Sequence, residues 1–446
     1  MFNSANLASE NSAAAQAQAS RLVSAESLLY DLRHPDPVRR QSAAHELGLA
    51  KYAPATPTLV TMAGDPDVSV RREVELSLEQ IEDIRVLPGF VQFIGDTEKD
   101  IRERAVHAVV SLYLPRATGP GAALARIGNL INPWWDEFSD AVIDADVTVD
   151  PEAIAALRAR MSDPEIKVRR GAAHGLGVLQ AESAIPELVL AVGEDRDDQV
   201  RFEAVRSLRK IGNPTAAASL MPALNLNNEK VRQEIIETLG KLKYRAAVPE
   251  LTRIFDRSKP SDRVRPLILS ALADIADPSS RPLFQRYTAD KSGIIRLYAE
   301  EGLARLADPS QLSSVTRDRL AEKDARVRTA QAFALLQMGQ AEYLDELVRG
   351  ISRLETRALA KEYLLETRPT ERAPLFAKRD KNPIIRAELA DVFGMMGDRA
   401  AMPALLELAR DSDSGVVHAA ERAIRRINAP RRSAAKGKAI NLPDAP

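Results

Sequence analysis

Residues 184–212 read AIPELVLAVGEDRDDQVRFEAVRSLRKIG, and this stretch shows the repeating pattern of the chain most clearly. It consists of an apolar segment, an acidic turn and a second segment with apolar residues at intervals of three and four. In that second segment they are Val200, Ala204, Val205, Leu208 and Ile211. Such spacing places the apolar side chains along one face of a helix. The stretch therefore predicts a helical hairpin whose apolar face must be buried by neighbouring hairpins.

The ends of the predicted helices carry the residues that helix ends require. Asp197 or Asp198 is placed to cap the free N–H groups of the second helix, and Gly212 is placed to end it. Proline, which fits the first turn of a helix, recurs at the start of the first helices. These prolines are Pro57, Pro88, Pro186, Pro249, Pro282 and Pro403. Glycines that are predicted to close second helices are Gly48, Gly177, Gly240 and Gly397.

An aliphatic residue followed by arginine returns about every thirty-two residues. These arginines are Arg39, Arg71, Arg102, Arg169, Arg201, Arg232, Arg265, Arg296, Arg328 and Arg386. Arg357 lies in the gap before Arg386, and one more period reaches His418. A fixed period of this length is typical of a solenoid, in which each unit contacts only its neighbours. We predict an all-α protein, an α-solenoid of about twelve hairpins with one irregular insertion.

The repeats define the predicted domains. Residues 1–23 form a mobile N-terminal segment, residues 24–428 form the solenoid with an insertion at 115–150, and residues 429–446 form a basic flexible tail. No run of residues has the length and hydropathy of a membrane span, and the first twenty residues lack the features of a signal peptide. We therefore expect a cytoplasmic protein.

The amino-acid composition argues against several classes of function. The chain has 62 Lys and Arg against 63 Asp and Glu, so no global field attracts nucleic acid. It contains no cysteine, which removes disulfides, thiolate metal sites and cysteine nucleophiles. Nucleotide-binding glycine motifs and catalytic serine or zinc motifs are absent from the sequence. We predict no catalytic residue, no cofactor and no metal site.

The repeat resembles the HEAT-repeat family, in the short form called PBS-lyase HEAT-like repeats. The stretches DPDVSVRREVELSLEQI (65–81) and DPEIKVRRGAAHGLGVL (163–179) carry the resemblance. It implies HEAT-like hairpins in which turn aspartates and helix arginines form a ladder along the stack. Carried to this chain, the ladder includes Asp67, Asp198 and Asp324 with Arg71, Arg201 and Arg328. The recurrence of these arginines favours a structural role over a ligand site.

Two enzyme groups with such repeats provide the alternative. Deoxyhypusine hydroxylases hold iron through repeated His-Glu pairs, whereas this chain has one such pair, His45-Glu46; the other histidines are His34, His107, His174 and His418. Phycobilin lyases hold a bilin and a phycobiliprotein, but no lyase-specific stretch is recognisable here. The alternative function is thus an enzyme or cofactor-handling protein of one of these two kinds.

The insertion interrupts the repeat between Leu114 and Asp150. It contains both tryptophans of the chain, followed by an alternating run from Val142 to Val149 that predicts extended backbone. Aromatic residues on an irregular segment of a rigid scaffold are common in binding sites. We predict a partner-binding site at Trp134, Trp135, Asp136, Glu137 and Phe138. The other interpretation is that these aromatic side chains cover apolar surface of the interrupted stack.

The C-terminal end is basic, with seven Lys and Arg residues between Arg422 and Lys438. It is a weak candidate for contacts with nucleic acid or anionic lipid, and a solvated helix end explains the same residues. By elimination, we predict a non-enzymatic scaffold or adaptor. It binds a protein partner through the concave face of the solenoid and through the insertion.

Overall fold

The structure is a computed structural model, and it describes residues 25–81, 83–114, 142–143, 147–307 and 309–428. No residue in these ranges forms a β-strand, and 24 α-helices follow one another as successive pairs. The predicted all-α solenoid of about twelve hairpins is therefore confirmed. None of the helices in the described ranges is long and apolar enough to cross a membrane. We call the odd-numbered member of each pair the first helix and the even-numbered member the second helix.

The chain divides into two compact units, Met1–Ile143 with Val149–Ile211 and Asp144–Thr148 with Gly212–Pro446. The described helices of the first unit are α1 (25–31), α2 (Pro37–Leu49), α3 (Thr56–Thr61), α4 (Val68–Ile81), α5 (Leu87–Phe93), α6 (Lys99–Ser111), α7 (Pro151–Ala159), α8 (Ile166–Val178), α9 (Ile185–Glu194) and α10 (Asp198–Ile211).

The described helices of the second unit continue the same alternation. They are α11 (Ala217–Leu220), α12 (Glu229–Lys241), α13 (Val248–Arg257), α14 (Val264–Ile275), α15 (Arg281–Tyr287), α16 (Gly293–Leu306), α17 (Leu312–Ala321), α18 (Ala325–Gln337), α19 (Leu344–Gly350), α20 (Arg357–Leu365), α21 (Pro369–Phe376), α22 (Pro383–Met396), α23 (Met402–Leu408) and α24 (Ser414–Asn428).

The first helices begin as the prolines predict. Each of the six predicted prolines occupies one of the first two positions of its helix, where a missing N–H is harmless. Short 3₁₀ helices occur beside many first helices. They are Ala53–Ala55, Met62–Gly64, Ile84–Val86, Arg160–Ser162, Glu182–Ala184, Pro214–Ala216, Pro222–Asn225, Arg245–Ala247, Pro278–Ser280, Pro309–Gln311, Ala341–Tyr343 and Arg399–Ala401.

Many second helices begin at a carboxylate or amide that accepts backbone hydrogen bonds, as α2, α12, α18 and α22 do. Asp197 Oδ1 accepts the N–H groups of Gln199 and Val200 at 2.9 and 3.2 Å, so Asp197 rather than Asp198 caps α10. Gly212 follows α10 with a φ of 70°, which fits its predicted role as a terminator. The apolar face of α10 is buried as predicted at Val200, Ala204, Val205 and Leu208, while Ile211 is only partly buried.

Within each unit the second helices pack against one another, and recurring glycines set their closest approach. A Cβ built on Gly48 would lie 2.7 Å from the Cα of Ser77 in the next second helix. The same 2.7 Å separation recurs between Gly177 and Ser207, Gly240 and Ala271, and Gly394 and Ala423. A side chain at these glycines would therefore collide with the backbone of the neighbouring repeat.

This packing corrects the prediction that Gly48, Gly177 and Gly240 close their helices. Each lies inside its helix, one residue before the end at Leu49, Val178 or Lys241. The left-handed residue that follows each helix is Lys51, Gln180 or Lys243, respectively. The prediction is right for Gly397, which caps α22 with a φ of 62°.

Candidate functional site

The predicted partner-binding residues Trp134, Trp135, Asp136, Glu137 and Phe138 lie outside the described residues. The structure does show how the insertion rejoins the repeats. Ile143 is 3% exposed, and its N–H donates to the Val178 carbonyl at 3.0 Å. The N–H of Asp150 donates to the Tyr113 hydroxyl at 3.2 Å. The end of the insertion is thus fixed to residues on both sides, and the described parts of its final run form no helix.

The arginine ladder joins neighbouring turns. Arg71 Nη1 donates to the Asp65 carbonyl at 2.9 Å in its own turn. Its Nε and Nη2 donate to the two carboxylate oxygens of Asp96 in the next turn, at 2.7 and 3.0 Å. Arginine and carboxylate thereby form a bidentate, charge-assisted pair. The same pairing joins Arg40 to Asp65, Arg102 to Asp163, Arg169 to Asp195, Arg296 to Glu322, and Arg386 to Asp411.

The acidic partners of the ladder differ from those that the resemblance implies. Asp67 accepts the Ser69 N–H at 2.8 Å and caps α4, so it is not the partner of Arg71. Asp324 caps α18 and pairs with Arg326 at 2.8 Å. Asp198 does lie near Arg201, with 3.6 Å between Oδ1 and Nη1. The ladder acid stands two residues earlier than the cap, because the cap carboxylate is already oriented toward the N–H groups of its own helix.

Two predicted ladder positions are shifted by one residue. In the first repeat Arg40 makes the ladder contacts, whereas the Arg39 side chain is 60% exposed and lies 4.0 Å from Asp31. In the last repeat, the residue six positions after Asp411 is Val417, so His418 falls one place beyond the ladder. The exposed His418 has no part in it.

Burial distinguishes individual rungs of the ladder. The side chains of Arg102 and Asp163 are only 8% and 1% exposed, and they connect α6 to the turn before α8 across the insertion.

In the second unit, the hydrogen bond from Arg386 lowers the pKa of Asp411. Likewise, the bond from Arg296 lowers the pKa of Glu322. These carboxylates are therefore ionised partners of the arginines at neutral pH.

Histidines of the first unit pair with carboxylates of the following second helix. His45 Nδ1 lies 2.8 Å from Glu73 Oε1, and His174 Nδ1 lies 2.8 Å from Glu203 Oε1. His107 occupies the same repeat position, where burial lowers its pKa to about 4. Arg104 of α6 contacts Glu75 of α4, with 2.7 Å between Nη2 and Oε2. Burial raises the pKa of Glu75 to about 8. The polar side chains on these second helices thus connect neighbouring repeats.

The histidines do not fit the iron site that the likeness to deoxyhypusine hydroxylases implies. All five histidines of the chain lie in the described ranges. His45 pairs with Glu73 rather than with the adjacent Glu46, which is exposed. Within the described part of the chain, no group of three or more His, Cys, Asp or Glu residues is arranged to hold a metal ion. Among the described residues, the histidines therefore do not form an iron site of this kind.

In the second unit, charged side chains near the C-terminal ends of second helices meet in what we call the ionic cluster. Lys241 Nζ lies 3.0 Å from both Asp274 Oδ2 and Glu362 Oε1. Arg305 Nη1 lies 3.3 Å from Asp274 Oδ1, and Nη2 lies 2.7 Å from Glu366 Oε1. These four helices, α12, α14, α16 and α20, are thereby connected through alternating charges.

A buried tyrosine completes the ionic cluster. The Tyr363 hydroxyl donates to Glu301 Oε1 at 2.5 Å, and its ring stacks on Phe333 with 4.5 Å between centroids. Burial, opposed by Arg305, raises the pKa of Glu301 to about 7. The sequence carried a signal for this cluster, because Lys241, Asp274 and Arg305 alternate in charge at the repeat spacing. None of these charged residues was predicted from the sequence to form a cluster.

The basic C-terminal end is described only in part. Arg425 and Arg426 lie in the last turn of α24, where cations are favourable, and Arg422 Nη2 lies 3.1 Å from Asp391 Oδ1. The predicted basic tail at 429–446 lies outside the described residues. Its proposed contacts with nucleic acid or lipid stay a prediction.

Comparison with known proteins identifies repeats and relatives. A family model of HEAT repeats matches residues 25–110, 154–229 and 217–304, which together exceed half of the chain. Deoxyhypusine hydroxylase from Homo sapiens is 25% identical over 271 residues, covering 55% of this chain and 78% of the relative. Bilin biosynthesis protein PecE from Nostoc sp. is 29% identical over 133 residues, covering 29% of this chain and 52% of the relative. A crystal structure of importin beta aligns with 96% of this chain and 65% of its own, with 13% identity and a TM-score of 0.47.

Proposed function

Because this chain belongs to the HEAT-repeat family, we propose that it is a non-enzymatic scaffold that binds a protein partner. The partner contacts the surface of the second helices and the insertion at 115–150. An array in which each hairpin contacts its neighbours offers an extended surface of the kind that recognises proteins. We place this scaffold in the cytoplasm as part of the same proposal.

This proposal is supported by the polar side chains of the second helices, which form hydrogen bonds and ion pairs with neighbouring second helices. His174 pairs with Glu203, and Lys241 pairs with Asp274, so that histidine, lysine and carboxylate groups connect successive helices. A catalytic centre instead requires a nucleophile, base or ligand set that converges on a space for substrate. The described second helices use these groups as structural connections, which suits a scaffold.

We propose Trp134, Trp135, Asp136, Glu137 and Phe138 as the part of the partner site that the insertion provides. Support comes from the fixed end of the insertion, where Ile143 is bonded to Val178. Aromatic side chains near such a fixed point are suited to act as binding anchors, since they bury a large area at low entropic cost.

Replacing both tryptophans with alanine tests this proposal. We expect the Trp134→Ala, Trp135→Ala variant to lose capture of a stoichiometric protein from native lysate, with a nearly unchanged thermal midpoint. Tyr30→Ala is the matched control, since Tyr30 is an aromatic side chain that is 77% exposed in a different repeat. Undiminished capture by the tryptophan variant, with a large fall in the midpoint, would mean that these side chains serve internal packing.

The alternative is an enzyme or cofactor-handling protein related to deoxyhypusine hydroxylase or to the bilin lyases. The observation that favours it is the 25% identity to human deoxyhypusine hydroxylase over 55% of this chain. Elemental analysis and visible absorbance of untagged protein distinguish the two functions. Stoichiometric iron or a tetrapyrrole spectrum after reconstitution would favour the alternative over the scaffold.

A further inference from the structure

We propose that Arg328 binds a side-chain carboxylate of the partner protein, in an acidic segment whose apolar residues contact Leu320 and Leu354. This inference rests on the proposed scaffold function and adds the chemistry of the segment recognised. It concerns a site in the second unit that is separate from the insertion.

Arg328 is held by the backbone of its turn in the same way as Arg296. Its Nη1 donates to the carbonyls of Glu322 and Lys323 at 2.8 and 2.9 Å. Arg296 Nη1 likewise donates to the carbonyls of Asp290 and Lys291 at 2.8 and 3.3 Å. Two backbone contacts thus fix the guanidinium of Arg328 at the turn.

Arg328 differs from Arg296 in the contacts of its other two hydrogen-bond donors, Nε and Nη2. Arg296 Nε and Nη2 each donate to a carboxylate oxygen of Glu322 at 2.8 Å. Among the described residues, Nε and Nη2 of Arg328 have no hydrogen-bond or ion-pair partner. Arg328 is therefore a ladder arginine whose fork is oriented but lacks its carboxylate.

The cause is a substitution in the following turn. Arg357 Nε donates to the Ile351 carbonyl at 2.9 Å, and Ile351 precedes Arg357 by six residues. Asp65 stands in the same relation to Arg71. Ile351 thus occupies the place of the ladder acid, and its aliphatic side chain, fully buried in the core, has no acceptor for Arg328.

Two exposed leucines lie near the turns before and after α18 and α19 in the chain, one at the end of α17 and one in the turn before α20. Leu320, just before the turn that holds Arg328, is 88% exposed, and Leu354, three residues beyond Ile351, is 87% exposed. No other large apolar side chain in the described ranges is as exposed as these two. Leu320 precedes by two residues the Glu322 carbonyl that holds Arg328, and Leu354 follows Ile351 closely in the chain, so we infer a ligand that combines a carboxylate with apolar groups.

The surrounding charges favour an acidic partner. Lys323 and Arg353 are exposed, and within the described residues neither forms an ion pair; Glu355, which follows Leu354, is also exposed. The same guanidinium fork binds a carboxylate with bidentate geometry at six rungs, those of Arg40, Arg71, Arg102, Arg169, Arg296 and Arg386. Leucine side chains offer no stacking surface for bases, so an acidic peptide segment fits better than a single-stranded nucleic acid.

The test is an array of twelve-residue peptides in which Asp or Glu and Leu occupy every register, probed with labelled full-length protein. We expect some peptides to bind the wild type and to bind Arg328→Gln at least tenfold more weakly. Arg328→Lys retains the charge but loses the planar fork, so it should bind with intermediate strength. Leu354→Ser should also weaken binding, and as an exposed position it leaves folding intact.

Arg257→Gln is the matched control, because Arg257 is an exposed arginine of another repeat and its loss changes the net charge equally. Its binding should stay within twofold of wild type. The proposal is overturned if no peptide distinguishes wild type from Arg328→Gln, if Asn and Gln peptides bind equally well, or if a dT12 oligonucleotide displaces the peptides. Capture of a partner that depends on Trp134 and Trp135 would survive such a failure, so the two proposals fail separately.

Discussion

Gly177 and Ser207, in neighbouring second helices, approach so closely that a Cβ on the glycine would lie 2.7 Å from the serine Cα and would overlap its Oγ. The Ser207 hydroxyl donates to the Ala173 carbonyl at 2.8 Å across the same interface. Gly48 and Ser77 repeat both features, with a hydrogen bond from Ser77 to the Ala44 carbonyl at 2.8 Å. A small residue opposite a glycine therefore sets the spacing of successive repeats.

Gly177→Ala should lower the free energy of unfolding by about 1–3 kcal/mol, because the added methyl group must displace the Ser207 backbone. Urea unfolding followed by circular dichroism measures the change. Gly193→Ala is the control, since a Cβ added at Gly193 would have no atom within 4 Å and alanine favours a helix. Equal stability of the two variants would show that the glycine contact does not limit the spacing.

Asp163→Ala should destabilise the protein by about 3–5 kcal/mol, because it leaves the buried Arg102 guanidinium without its carboxylate. Asp100→Ala removes the partner of Arg72 in a pair whose side chains are 40% and 42% exposed, and it should cost roughly 0–1 kcal/mol. Chemical unfolding of both variants provides the comparison. Similar losses in the two variants would contradict a special role for the rung that spans the insertion.

The buried carboxyl group of Glu75 should make the free energy of unfolding depend on pH. Its pKa rises from about 4.5 to about 8 on burial, so between these values the unfolded chain releases a proton that the folded chain keeps. The free energy of unfolding should therefore fall as pH rises through this window, and the Glu75 contribution to stability is fully present only below it. Arg104 opposes the shift, whereas Glu79 and Asp100 add to it.

Glu75→Gln should reduce the fall in stability between pH 5 and pH 8.5 by on the order of 1–3 kcal/mol. This figure lies below the full linkage value because the paired Arg104 side chain is 34% exposed and solvent screens it. Urea unfolding at the two pH values measures the effect. Parallel pH profiles for wild type and variant would mean that Glu75 ionises normally in the folded state.

Local patterns predicted the fold well. The spacing of Val200, Ala204 and Leu208 gave the buried face of α10, and Pro186 gave the start of α9, since both depend on residues close in sequence. The carboxylate partners of Arg71 and Arg328 were predicted incorrectly, whereas Asp198 does lie within 3.6 Å of Arg201. Asp67 and Asp65 are both turn aspartates, and the choice between cap and ladder depends on the approach of the neighbouring repeat.

The candidate sites were less predictable than the fold, because they depend on contacts between residues that are distant in sequence. The ionic cluster brings Lys241 within 3.0 Å of Glu362, 121 residues later, and no repeat-to-repeat spacing indicates that contact. The role of Gly177 likewise depends on a helix thirty residues away rather than on its own helix end. At Arg328 the informative feature is the aliphatic Ile351 in place of an acid, which becomes visible only once the ladder geometry is known.

Replacing residues 116–140 with a Gly/Ser linker of equal length should change the thermal midpoint by no more than about 4 °C, which corresponds to roughly 3 kcal/mol in a domain of about 400 residues. The contacts that remain are Arg102 with Asp163, and Ile143 with Val178. Differential scanning calorimetry measures the midpoint. A fall of 10 °C or more would show that the replaced aromatic side chains pack within the repeats rather than forming a binding surface.

We propose that this HEAT-repeat chain acts by holding a protein partner. Native mass spectrometry of untagged protein purified from its own cells tests it most directly. The scaffold function predicts a species heavier than the 48.8 kDa chain by the mass of one partner protein, and this species should disappear in the Trp134→Ala, Trp135→Ala variant. A 48.8 kDa chain that instead carries stoichiometric iron or a tetrapyrrole, with no protein attached, would contradict the scaffold function and support the enzyme alternative.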